Sequence, residues 1–264
     1  MKLIRYILRM IGFFSTLIIG TIIALLIGWI PVGSNGARLA QKIAAQMSKM
    51  ALAILDVKIT VDRPDLLRQH SGFIFSNHSS YMDIMVMMAT EPVRFVAKSE
   101  VRRMLFIGRL AWTIGCIFVK REKKQSRQAA RSTLGRLDSY KPAVVLFPEG
   151  TTAPIGQLLP YRKGAFEIAK EAGINYLPVS IVYSNLTLID WRSVPFRQAL
   201  WNIMSRNSTL HANLYVHDPV TPTPDDDAQA LCDQTRQEML HVLTTKGNYR
   251  PETSEDPAYA LQSV

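Results

Sequence analysis

His78 and Asp83 stand five residues apart in the run Ser76-Asn77-His78-Ser79-Ser80-Tyr81-Met82-Asp83, where a polar turn leads out of a β-rich stretch. On one continuous helix that separation would put the two side chains roughly 140° apart. With His78 ahead of the helix and Asp83 in its first turn, the loop brings the ring back over the carboxylate. A general-base dyad needs this geometry: the carboxylate holds one ring N–H, fixes the tautomer and stabilises the imidazolium, while the other nitrogen takes a proton from a nucleophile. Ser79 or Ser80 is the natural helix cap. Either hydroxyl is also an alternative covalent nucleophile, but the sequence has no Gly-x-Ser-x-Gly elbow, which favours direct attack by a substrate hydroxyl. No second His or Cys stands nearby at ligand spacing, so no metal is expected.

A second cluster follows another β-rich run, Val144-Val145-Leu146-Phe147-Pro148-Glu149-Gly150-Thr151-Thr152. Pro148 stops the strand and Gly150 allows a tight turn. Glu149 is left at the C-terminal edge of a strand, where open α/β sheets place their ligands.

Positioning these residues requires a sheet. After Asp56 the pattern alternates β-rich runs (57–61, 73–76, 93–97, 116–119, 143–147, 176–182 and 210–216) with helical windows (81–90, 100–112, 122–140, 164–172 and 226–243). The fold class expected is α/β: a single layered domain with a mixed, largely parallel sheet flanked by helices, preceded by an N-terminal membrane-anchoring helical segment. Residues 1–55 form the expected anchor, 56–246 the catalytic domain and 247–264 a flexible, polar tail. Asp225 to Asp227 supply a cap and a negative first turn for the last helix.

The anchor rests on composition. Between Arg9 and Arg38 lie 28 residues without Asp, Glu, Lys, Arg or His, and roughly 20 apolar residues suffice for a helix to cross a bilayer. No A-x-A-like site follows, which argues against a cleaved signal peptide. In the next window Arg38, Lys42, Gln46 and Lys49 line one face, as in a helix lying in an anionic lipid interface; an ordinary core-facing helix fits equally. A single span and a hairpin dipping into one leaflet both remain open.

Charge and cysteines narrow the class further. The chain carries 31 Lys and Arg against 21 Asp and Glu over 264 residues, and residues 94–131 hold eleven basic side chains against two acidic ones. Such a patch suits phosphate in some form: an anionic membrane surface, a phosphorylated substrate, an acidic carrier protein or nucleic acid. A membrane-tethered binding module using residues 94–131 is the non-enzymatic alternative, but it leaves His78, Asp83 and Glu149 unexplained. Cys116 and Cys232 form no CxxC pair, so a reducing compartment is the easier reading.

The motifs together resemble the lysophospholipid acyltransferase family, the glycerolipid acyltransferases that include 1-acylglycerol-3-phosphate acyltransferases. Asn77-His78-Ser79-Ser80-Tyr81-Met82-Asp83 is similar to the family's NHxxxxD motif. Lys98-Ser99-Glu100, Gly108 and the block from Gly115 to Arg121 are similar to the second motif. Phe147-Pro148-Glu149-Gly150-Thr151 with the Lys163-Gly164 element resembles the third, and Leu177-Pro178-Val179 the fourth. The resemblance implies His78 as general base and Asp83 as its orienting partner. It implies acceptor binding by Arg121, Glu149 and Gly150, with Lys98 and Lys163 adding charge and Phe147, Pro148 and Thr151 completing the substrate site. It implies acyl-CoA or acyl carrier protein as co-substrate, with no cofactor and no metal. The reaction expected is transfer of a fatty acyl group to the free hydroxyl of a lysolipid, foremost 1-acyl-sn-glycerol-3-phosphate. The partners expected are the lipid bilayer, the lysolipid and the acyl donor, without nucleic acid, and the catalytic domain is expected on the cytoplasmic face. One residue departs from the pattern: Thr152 stands where lysophosphatidate acyltransferases often carry Arg, which keeps a lyso-ornithine lipid or another lysolipid acceptor in play, while Lys120, Arg121 and Arg162 offer compensating charge that keeps lysophosphatidate first.

Overall fold

The computed structural model describes residues 1–28, 33–104, 107–119 and 142–250. The window 122–140, Arg121 and the basic residues between 120 and 131 lie outside the described residues.

Seven strands form one sheet in the order β1-β7-β6-β2-β5-β3-β4: β1 (Val57–Val61), β2 (Phe73–Ser76), β3 (Arg94–Lys98), β4 (Ile117–Val119), β5 (Val144–Leu146), β6 (Tyr176–Tyr183) and β7 (Leu210–Val216). Every neighbouring pair is parallel except β6 with β7. The expected mixed, largely parallel sheet is therefore observed. The central strands β2, β5 and β6 are buried on both faces, which is why they read in sequence as continuous apolar runs without alternation. Parallel pairing of β6, β2, β5, β3 and β4 brings their C-terminal ends, at Tyr183, Ser76, Leu146, Lys98 and Val119, to one end of the sheet.

Two helices precede the sheet: α1 (Lys2–Gly28) and α2 (Gly33–Ile54). They run antiparallel, since Gly12 faces Ile54 and Gly20 faces Met47. A Cβ at Gly20 would stand 2.1 Å from the Met47 sulfur, so the missing side chain is what allows the two helices to approach there. Ala40, Ala44, Ala45, Leu52 and Leu55 of this segment are buried in the same core as the sheet. The second helix is thus part of the domain's packing. Lys42, Gln46 and Lys49 remain exposed on the far face, so α2 is both core-facing on one side and basic on the other.

The remaining helices are α3 (Pro64–Gln69), α4 (Met82–Thr90), α5 (Ile107–Thr113), α6 (Gly164–Glu171), α7 (Phe196–Ser205) and α8 (Ala228–Lys246). The expected helix over 100–112 is instead a 3-10 turn, Ser99–Arg103, followed by α5. Met104 breaks it in an extended conformation at φ −70° and ψ 127°. Neither α3 nor α7 was expected, although Pro195 followed by Ala199, Leu200, Ile203 and Met204, all buried, carries a helical start and spacing. Asp227 caps α8 by accepting from Gln229 and Ala230, while Asp226 turns back to Thr223.

Arginines tie α1 to the domain. Arg5 donates to the Ser205 carbonyl, and Arg9 donates to those of Met204 and Arg206. Tyr6 packs on Trp201 of α7 with ring centroids 4.9 Å apart. Opposite this docked face, Ile4, Ile7, Leu8, Ile11, Ile18 and Ile22 are exposed. The stripe is apolar along the whole helix, and Lys2–Leu26 is long and apolar enough to cross a membrane.

Candidate active site

The site grows from the end of β2. Asn77 is fully buried and locks its turn to β6: its amide oxygen accepts from Ile181 N–H at 2.7 Å, and its nitrogen donates to the Ile181 carbonyl at 3.1 Å. The chain leaves the strand at His78, whose backbone N–H donates to Glu149 Oε1 at 2.6 Å. Its ring turns back so that Nδ1 lies 3.0 Å from Asp83 Oδ2. The structure thus brings the two ends of the five-residue spacing together.

Asp83 is fully buried and densely held. Oδ2 also accepts the backbone N–H groups of Ser79 and Ser80, both at 2.8 Å, and Oδ1 accepts the Tyr183 hydroxyl at 2.7 Å. The cap is reciprocal: Asp83 Oδ2 accepts the two serine N–H groups, and the Ser80 hydroxyl accepts Met82 N–H at the start of the helix at 3.3 Å. Burial, then the neighbouring Asp83 charge, pushes the Tyr183 hydroxyl well above its ordinary pKa, so it stays protonated and donates. With Asp83 an acceptor for four donors, His78 Nδ1 carries the proton and Nε2 presents its lone pair. The ring is stacked on Phe147, centroids 4.1 Å apart and planes at 16°, and Phe147 stacks in turn near Phe95. An imidazole locked by a carboxylate on one edge and an aromatic face on the other is a pre-oriented base. Neither serine suits the covalent alternative. Ser79 is buried with its hydroxyl on Tyr249, and Ser80 is fully buried with its hydroxyl accepting from Met82 N–H.

Glu149 lies buried behind the dyad, with Oε2 accepting Leu159 N–H at 3.0 Å. Burial pushes its carboxyl up to about 8 despite the two N–H groups it accepts. It joins the His78 loop to the 148–159 loop through these two N–H groups. Gly150 sits at φ +73°, where its missing Cβ leaves room for the Arg162 guanidinium, whose Nε would be 2.8 Å from that atom. Arg162 N–H also donates to the Pro148 carbonyl, and Ala153 N–H to that of His78 at 2.7 Å.

The other expected site residues are placed as follows. Phe147 supports the imidazole, Pro148 is buried in the turn and Thr151 is exposed. Lys98 ends β3 at the same sheet edge, and Lys163 pairs with Glu167 at 3.7 Å. Arg121 lies outside the described residues. Among the described residues no group of three His, Cys, Asp or Glu side chains gathers as for a metal ion.

Tyr183 and Tyr249 were missed by sequence reasoning. Tyr249 lies in the expected tail, yet it is buried and bonds the Asn77 amide at 3.2 Å and the Ser79 hydroxyl. Arg250 N–H donates to the Gly156 carbonyl at 2.8 Å, so the ordered domain runs past residue 247, correcting the frayed tail at its first residues. Tyr249→Phe keeps the ring and loses both bonds. Turnover should fall about fivefold, the effect of roughly 1 kcal/mol of loop positioning, with KM nearly constant. Steady-state kinetics checks this, and unchanged turnover would remove Tyr249 from the site.

Comparison with known proteins places these observations. A family model described as Acyltransferase matches residues 58–182. The chain is 28% identical over 164 residues to a 1-acyl-sn-glycerol-3-phosphate acyltransferase of Neisseria gonorrhoeae, covering 60% of this chain and 64% of that protein, just under two thirds of its length. It is 30% identical over 195 residues to a lyso-ornithine lipid O-acyltransferase of Brucella abortus, covering 66% of this chain and 72% of that one. The crystal structure of the 1-acyl-sn-glycerophosphate (LPA) acyltransferase PlsC from Thermotoga maritima shares the fold, with TM-score 0.69 over 96% of this chain and 100% of that chain at 20% identity.

Proposed function

Since this chain belongs to the lysophospholipid acyltransferase family, we propose that it transfers a fatty acyl group from a thioester donor, acyl-CoA or acyl carrier protein, to the free hydroxyl of a lysolipid, foremost 1-acyl-sn-glycerol-3-phosphate. The observation that carries the mechanism is the 3.0 Å contact of His78 Nδ1 with the buried Asp83 carboxylate at the C-terminal edge of the parallel strands. As the acceptor oxygen attacks the thioester carbonyl, His78 Nε2 takes its proton. The C–S bond of the tetrahedral intermediate then breaks, and the leaving thiolate takes the proton from the imidazolium. An ester and a free thiol result. A thioester is already activated, so the proposed reaction draws on no metal or prosthetic group.

A lipid hydroxyl is a weak nucleophile at neutral pH, and a positioned base contributes typically about 10² to 10⁴ in rate. His78→Ala assayed for acylation of lysophosphatidate tests the proposal, with loss of turnover in a folded protein as the supporting result. Lyso-ornithine lipid is the second acceptor to assay, because Thr152 lacks the charge of an arginine and a lyso-ornithine lipid O-acyltransferase is among the relatives.

The bilayer is the partner we propose for the exposed face of α1. Because α1 lies docked along the domain beside α2 and α7, a hairpin lying in one leaflet fits better than a lone span. The cytoplasmic face is the proposed side: both donors are soluble carriers, and Cys116 and Cys232 are unpaired. Replacing Ile11, Ile18 and Ile22 with Gln should leave the fold intact, since these side chains face outward. Each buried Ile is worth about 1.5–3 kcal/mol, so partition into anionic vesicles should drop by at least about 10³-fold. Vesicle flotation measures this, and undiminished binding would place the attachment elsewhere.

A further inference from the structure

Arg162, beside the Lys163-Gly164 element, and Arg192, which no motif singles out, both reach the turn of the site. Arg192 reaches from the loop before α7 and donates Nη1 to the Thr152 carbonyl at 2.8 Å. Its own loop is fixed by Asp190, whose Oδ1 accepts the N–H groups of Arg192 and Ser193 at 3.1 and 2.9 Å. Arg162 lies over Gly150, two residues away along the same turn. Both side chains are exposed, and neither forms an ion pair among the described residues. The turn they flank is bonded to the general-base residue through Ala153 N–H and the His78 carbonyl. The only carboxyl within the turn, Glu149, is turned inward onto the N–H groups of His78 and Leu159.

We infer that Arg162 and Arg192 form a two-guanidinium subsite for a phosphate-bearing acceptor headgroup at the 148–152 turn. This rests on the acyl-transfer reading above and chooses its acceptor class. A guanidinium offers paired N–H donors that match phosphate oxygens, and one bond to a backbone carbonyl leaves most of the Arg192 fork available. The charge absent from Thr152 is thereby delivered to the same turn from residue 192.

The test compares lysophosphatidate with uncharged 1-acylglycerol in the same detergent micelles, with the full chain as enzyme. Arg192→Gln retains a donor for the Thr152 carbonyl but removes the charge. It should raise KM for lysophosphatidate about tenfold, the effect of one lost charge-assisted hydrogen bond, while kcat holds and transfer to 1-acylglycerol is unchanged. Arg162→Gln should act in the same direction, and adding Thr152→Arg to Arg192→Gln should recover KM. Equal losses for both acceptors would make Arg192 merely structural and overturn the inference, as would an unchanged KM for lysophosphatidate. If the wild-type chain acylates lyso-ornithine lipid in preference to lysophosphatidate, the phosphate subsite also falls while acyl transfer stands. If it acylates none of the three acceptors, both readings fall.

Discussion

His78→Ala lowers kcat for acyl transfer by about 10³-fold, in the middle of the range for loss of a positioned general base. The ring is the only group on the described edge with both an orienting carboxylate and an open nitrogen, so no neighbour replaces it. The Asp83 carboxylate remains held by Ser79, Ser80 and Tyr183 after the ring is gone. The loop therefore keeps its shape, and KM for the acceptor changes little. The check is kcat and KM beside a thermal melt. A folded variant with wild-type turnover would take the base away from His78.

Asp83→Asn produces the second large effect, through charge. The two serine N–H groups hold an amide oxygen where Oδ2 stood, and the Tyr183 hydroxyl rotates to accept from the amide nitrogen. Contacts and ring orientation survive, but the imidazolium that forms during attack faces a neutral group. Loss of that stabilisation lowers kcat by about 10²- to 10³-fold with membrane attachment intact. Equal turnover in the variant would show that Asp83 is a structural cap of the loop.

The legible parts of the molecule were those whose causes are local. Strands β1, β2 and β7 match expectation to the residue: β2 is a short apolar run buried on both faces, while β1 and β7 alternate more buried with more exposed positions, and both patterns are local. The His78–Asp83 approach was readable because both ends lie within one turn of chain. Tyr183, Tyr249 and Arg192 reach this site from 100, 170 and 40 residues away from their partners. Only the order of strands decides which distant side chains meet there, and residue spacing carries no trace of that order. For residues 1–55 hydropathy marks α1 as membrane-seeking, while the pattern of α2 fits an interfacial and a core-facing helix equally; only the packing shows Ala40, Ala44 and Leu52 in the core shared with the sheet.

The most direct measurement follows thiol release and lipid acylation together, with purified full-length protein, an acyl thioester and lysophosphatidate. The account predicts one thiol freed for each diacyl lipid formed by the wild type, and neither product above background with His78→Ala. Thioester cleavage without acylated lipid, or equal acylation by both proteins, would contradict it.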